Sequence, residues 1–172
     1  MPITIEQATV PVFIRGLKVL STLLQKGADH ARSQGLDAAT LVDARLAPDM
    51  FSLAGQVQRA SDTAKLGVQR LSAVEAPRYA DDETTLEQLQ ARIAKTIAWL
   101  ESVPSDALAA AESRTVTLGF KDFKPTFTAI SYVLTFALPN FYFHVTTAYD
   151  ILRNQGVPVG KLDYLGPYQA AN

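Results

Sequence analysis

The chain has two histidines, His30 and His144, and no cysteine. Any imidazole chemistry must therefore use one of these two residues. Thiolate nucleophiles, disulfides and thiolate-bound metals are excluded. His144 is the more informative of the pair. It lies in Leu138-Pro139-Asn140-Phe141-Tyr142-Phe143-His144-Val145-Thr146-Thr147-Ala148-Tyr149-Asp150-Ile151-Leu152-Arg153, a stretch that reads as the opening of a buried helix. Asn140 and His144 are one turn apart on the face that also carries Ala148 and Ile151. An unpartnered buried polar group costs roughly 1–3 kcal/mol, so this pair on an apolar face calls for partners or a function. His30 falls in the last turn of the first helix beside Asp29 and Arg32. There the helix dipole favours an exposed imidazole without a ligand role.

The other familiar arrangements are missing. No Gly-x-Ser-x-Gly turn accompanies His144, so an activated serine is not indicated. Gly160-Lys161 lacks the preceding spacing of a phosphate-binding loop. Asp81-Asp82-Glu83 precedes a helix N-terminus, where the dipole accounts for its charge. Asp62 is flanked by Arg59 and Lys65 and reads as a solvated ion pair. A metal site in a helical bundle needs several inward ligands from facing helices. The inward candidates are His144, Asn140 and Gln56, with Asp62 and Asp49 less well placed. One imidazole with two carboxamides is a poor transition-metal site, because amide oxygens are weak ligands. Two readings follow from the residues. Either His144 and Asn140 are satisfied by neighbours such as Tyr142, Tyr149 or a buried water, or they line a ligand pocket of His144, Asn140, Gln56 and Tyr149. In the second case His144 is the candidate for catalysis or metal ligation.

Helices must position these residues. Thr4 and Gln7 form a capping-box pattern that starts a helix over residues 5–33. Its apolar spacing runs through Val10, Ile14, Leu17, Leu20, Leu24, Ala28 and Ala31, and Gly35 stops it. Pro11 predicts a kink or a late start. Residues 38–43 suggest a short helical turn. Pro48-Asp49 opens a second long helix with a stripe from Met50 through Leu53, Val57, Ala60, Ala64 and Val68 to Leu71. After a loop over 74–83, Thr84 with Glu87 or Thr85 with Gln88 caps a third helix. Its stripe is Leu86, Leu89, Ile93, Ile97 and Leu100, and Pro104 ends it. Residues 105–128 are irregular. Helical turning near 107–112 is followed by alternation at Thr115–Leu118 and by Phe120, Phe123 and Phe127 around Lys121-Asp122, which suggests a short hairpin. Pro139 either kinks the last helix or begins it afresh, and Gly156 with Pro158 ends it. Tyr164 and Leu165 are expected to anchor the tail. Four long amphipathic helices predict an all-α four-helix bundle, with a long irregular connection before the last helix.

At 172 residues the chain reads as a single domain, 1–172. Charged residues make up 19 %, with acids and bases interspersed and a net charge of −1, so no concentrated basic face exists for nucleic acid or a membrane surface. No apolar run approaches the ~20 residues that span a bilayer. Met1-Pro2-Ile3-Thr4 opens no signal-peptide pattern. A cytoplasmic location is expected.

Asp49-Met50-Phe51, the run from Gln56 to Lys65, Pro139 to His144, Thr147-Ala148-Tyr149, Ile151-Leu152-Arg153 and Gly156-Val157-Pro158 with Gly160-Lys161 resemble a bacterial domain of unknown function. That domain is a branch of the DinB-like (YfiT-like) metalloenzyme superfamily. The resemblance to the branch covers nearly the whole chain, and that to the wider superfamily is fainter. The superfamily implies a four-helix bundle, commonly a homodimer, whose metal-binding members use one histidine from the second helix and an H-x-x-x-H pair in the last. Characterised members are thiol-dependent transferases and isomerases. In the superfamily, the second histidine of the pair lies eight residues before a Leu-Arg. Here His144 lies eight before Leu152-Arg153. Asn140 then stands where the first histidine would be, and Gln56 at or near the second-helix histidine. Two of three expected ligands for a divalent metal are absent. The resemblance therefore implies a degenerate or variant metal site around His144 that binds a small molecule. Its alternative is a metal-dependent small-molecule transferase or isomerase.

Overall fold

The computed structural model describes residues 2–119 and 122–167. Phe120 and Lys121, which belong to the aromatic series before the last helix, lie outside the described residues. The first helix, α1 (Ile5–Gln34), begins at the capping box read from the sequence. Thr4 Oγ1 accepts the Gln7 N–H at 3.2 Å, and Gln7 Oε1 accepts the Thr4 N–H at 3.1 Å. Gly35, at φ 64°, closes it in the left-handed conformation that glycine tolerates. Pro11 neither delays nor breaks α1. Its ring is exposed, and the hydrogen bond it cannot make is to the carbonyl of exposed Gln7. The turn α2 (Ala38–Asp43) is capped by Asp37.

The second long helix, α3 (Leu53–Ser72), starts later than Pro48-Asp49 suggests. Residues 47–50 form a turn closed by the Met50 N–H on the Ala47 carbonyl at 3.0 Å, and the Ser52 hydroxyl supplies the cap. Helix α4 (Leu86–Ser102) uses the Thr85–Gln88 box. Its buried face includes Arg92 and Thr96, while Ile97 is only half-buried. A purely apolar stripe misses that rotation, because Arg92 turns inward to meet carboxylates.

The long connection contains two 3-10 turns (Ser105–Leu108 and Ala111–Ser113). The expected hairpin follows, β1 (Thr115–Thr117) with β2 (Thr126–Thr128), antiparallel, with Val116 opposite Phe127. The chain then runs helically through α5 (Ala129–Tyr132), a π-turn (Val133–Ala137) and α6 (Leu138–Asn154). The widened turn resolves the Pro139 question. The Leu138 N–H reaches back to Val133, and Pro139 sits in the first turn of α6, where its missing N–H costs little. After Gly156, α7 (Lys161–Leu165) folds back on α1. Lys26 pairs with Asp163 at 2.6 Å, and the Tyr164 hydroxyl meets Thr146 Oγ1 at 2.8 Å.

Helices α4 and α6 each pack against both α1 and α3, giving the four-helix arrangement. Leu17, Leu20, Leu24, Val57, Val68, Leu89, Phe141 and Ile151 fill its core. Phe141 approaches α1 closely. Its ring meets Phe13 edge-on at 5.0 Å, and a Cβ on Gly16 would fall 2.4 Å from Phe141 Cε1. This contact seats the start of α6, and so Asn140 and His144, against the bundle. Among the described residues no helix is long and apolar enough to cross a membrane.

Candidate functional site

His144 and Asn140 project from α6 toward α3, and each is met by one side chain of α3. His144 Nδ1 lies 2.7 Å from Gln56 Oε1, and the Gln56 amide nitrogen donates to the Phe51 carbonyl at 3.2 Å. Asn140 Nδ2 donates to Thr63 Oγ1 at 2.8 Å, and the Thr63 hydroxyl donates to the Arg59 carbonyl at 2.7 Å. Gln56 is 1 % exposed and His144 7 %. The helical repeat explains the placement. Gln56, Arg59 and Thr63 recur at three and four residues on one side of α3, and Asn140 and His144 at four on α6.

The imidazole is neutral at physiological pH. Burial pushes its pKa down, the nearby Arg59 guanidinium pushes it further, and it falls from 6.5 to about 4. Arg59 in turn joins a charged cluster between α3, α4 and the loop that links them. It pairs with Asp62 at 3.1 Å and also contacts Asp81. Arg92, with its side chain 1 % exposed, meets Asp62 at 2.9 Å, Asp81 at 2.8 Å and Glu83 at 2.9 Å. Lys65 closes on Asp62 at 2.8 Å, and Lys65 and Arg92 both lie over the Tyr79 ring. Burial pushes the Glu83 carboxyl up, but hydrogen bonds from Arg92 and Gln58 outweigh it and hold the group below the usual range. Burial likewise opposes the Arg92 charge, and the carboxylates around it reverse that effect.

Several expectations change here. Asp62 is not a solvated pair. It is the carboxylate on which Arg59, Lys65 and Arg92 converge, and its side chain is 20 % exposed. Asp81 and Glu83 serve the buried Arg92 rather than a helix dipole alone. Tyr142 and Tyr149 do not satisfy the polar pair; Gln56 and Thr63 do. The structure brings His144, Asn140 and Gln56 to one seam but places Tyr149 apart, its ring 5.9 Å from Tyr164 in a small cleft with Thr146, Asp150 and Lys161. Asp49 is exposed in a different cleft with Asp43, Arg45 and Phe51. His30 is half-buried near Gly156 rather than exposed. Sequence reading missed Thr63 and Arg59 as neighbours of the site. Their i,i+3 and i,i+7 spacing from Gln56 was the available signal.

The donor set does not fit the divalent cation that the three-histidine pattern implies. His144 supplies one imidazole nitrogen, since Nδ1 is engaged by Gln56. The Gln56 oxygen faces that N–H, which leaves Asn140 Oδ1 as a weak neutral donor. Among the described residues no group of three or more His, Asp or Glu side chains could hold a metal. The Arg59 guanidinium also opposes a positive charge on the His144 ring.

The chain matches the family described as Domain of unknown function (DUF1993) over residues 5–165. It is similar to the crystal structure of a DinB family member protein from Shewanella denitrificans, at 41 % identity and a TM-score of 0.87, covering 96 % of this chain and 95 % of that one. No curated protein matches the chain. The chain belongs to the DUF1993 family, a branch of the DinB-like four-helix fold.

Proposed function

We propose that the seam around His144, Asn140 and Gln56 binds a small molecule through a neutral imidazole, at the position of a DinB-type metal site that no longer holds a metal tightly. The observation that carries this reading is the commitment of His144 Nδ1 to Gln56. It leaves the Nε2 lone pair without a protein partner among the described residues, on a residue that is 7 % exposed. Nε2 keeps contact with solvent, so a ligand's donor can reach its lone pair. A pKa of about 4 makes His144 a weak base at neutral pH. That suits hydrogen-bond acceptance better than proton abstraction, which favours a base poised near the working pH. The metal-dependent transferase or isomerase reading rests on position equivalence alone, and the donor set weighs against it.

The reading extends to a homodimer, supported by the apolar side chains exposed one turn apart at the start of the last helical run, Ile130 and Leu134. Sedimentation at micromolar concentration is expected to give a dimer, and a monomer would remove this part. The test of the site itself is a small-molecule screen by NMR that reads the His144 Hε1 resonance, together with metal analysis of tag-free protein. Hits are expected to lose about tenfold or more in affinity in His144→Ala. Stoichiometric zinc or nickel, or affinities untouched by His144→Ala, would overturn the proposal.

A further inference from the structure

Two hydrogen-bond chains fix what the seam offers a ligand. A backbone carbonyl can only accept, so the Gln56 amide nitrogen, bonded to the Phe51 carbonyl, fixes the orientation of that side chain. Its oxygen must then face His144, and an oxygen acceptor there requires Nδ1 to carry the proton. Nε2 is left as a lone pair. The second chain works the same way. The Thr63 hydroxyl spends its only hydrogen on the Arg59 carbonyl, so it can only accept from Asn140. Asn140 must present its NH2 group to Thr63, and its Oδ1 is left with no partner among the described residues. The two chains are independent of each other, each is anchored on a different main-chain carbonyl of the α3 region, and both end in an acceptor. The acceptors stand one helical turn apart on α6, near enough for one ligand to address both.

We infer that the site takes an uncharged hydrogen-bond donor, a hydroxyl or primary amide on an apolar or aromatic body, bound between His144 Nε2 and Asn140 Oδ1. This rests on the reading of the seam as a small-molecule site. A carboxylate or phosphate would bring lone pairs against two lone-pair acceptors and is disfavoured. An ammonium ion would satisfy both acceptors but would have to exchange its hydration shell for two neutral acceptors. A neutral O–H or NH2 group avoids both penalties, and an NH2 group can donate to both acceptors at once. The apolar body is indicated by Phe143, 55 % exposed with its ring edge-on to His144 at 5.3 Å.

Four probes with one ring separate the classes: benzyl alcohol, benzamide, benzoate and benzylammonium, each titrated at pH 7 while the His144 ring nitrogens and Hε1 are followed by NMR. Benzyl alcohol and benzamide are expected to move the His144 resonances, with Nε2 the nitrogen affected. Asn140→Leu is expected to weaken benzamide roughly fivefold, the loss of one hydrogen bond, and to leave benzyl alcohol, which has a single O–H to donate, less affected. In the free protein the ring is expected as the Nδ1–H tautomer. Benzoate or benzylammonium binding as tightly as the neutral probes would overturn the inference while leaving a small-molecule site in place. So would an Nε2–H tautomer. If none of the four moves His144, the small-molecule reading falls with it.

Discussion

Replacing His144 by Asn removes the titrating imidazole and keeps an N–H where Nδ1 meets Gln56. The unfolded imidazole takes a proton near 6.5 and the folded one only at about 4. Between these values the unfolded chain binds more protons, so lowering the pH pulls the equilibrium toward it. The stability that the neutral imidazole retains is present above pH 6.5 and is lost by pH 4. The fall from 6.5 to about 4 corresponds to about 3 kcal/mol, at roughly 1.36 kcal/mol per tenfold change in proton affinity. Urea unfolding at half-unit steps from pH 8 to 4 measures it. With an m-value of about 2 kcal/mol/M, the wild-type midpoint is expected to fall about 1.5 M further than that of His144→Asn across this range. The lowered Glu83 carboxyl also costs stability in acid, as pH falls through its folded pKa. It does so in both proteins, so it cancels in the difference. Parallel pH profiles for wild type and His144→Asn would refute the reasoning, because they would mean that the folded imidazole titrates like the unfolded one.

Three further substitutions probe the elements that build the seam. Gln56→Leu leaves Nδ1 and the Phe51 carbonyl without their partner and is expected to cost about 1–3 kcal/mol in chemical denaturation. The same variant should release the His144 tautomer, visible in the ring 15N shifts. Arg92→Met removes the cation that faces Asp62, Asp81 and Glu83. Arg59 and Lys65 still hold Asp62 and Asp81, so Glu83 alone loses its cation; the variant is expected to destabilise by about 1–3 kcal/mol, and the loss should shrink in acid as Glu83 protonates. Gly16→Ala drives a methyl into the buried Phe141 ring and is expected to cost about 1–3 kcal/mol, read as a lower melting temperature.

The parts of the fold that were legible in the sequence are those with local causes. The Thr4–Gln7 and Thr85–Gln88 boxes, the Gly35 stop and the 38–43 turn each depend on residues within a few positions. So does the hairpin alternation around Val116. The start of α3 was misplaced because Pro48 and Ser52 both offer an opening, and only the Ala47–Met50 turn decides between them. The inward rotation of Arg92 was hidden for a different reason. Its three carboxylates come from α3 and from the loop after it, and no local pattern shows that they converge. The same holds at the candidate site. His144 and Asn140 are visible as a polar pair on an apolar face, and Gln56 as an inward candidate on the second long helix. Thr63, which fixes Asn140, is 77 residues away from it in the chain. Tyr149 was grouped with the pair by sequence proximity, but five residues on a helix turn it toward Tyr164 instead.

The central claim is that His144 is a neutral, Gln56-held imidazole in a site that does not bind a divalent metal. A pH titration of the His144 Hε1 resonance, recorded with and without equimolar Zn2+, tests it most directly. The structure predicts one curve in both samples, with a midpoint at about 4. A midpoint near 6.5 would contradict the buried, Arg59-facing setting, and a titration abolished by zinc would contradict the metal-free site.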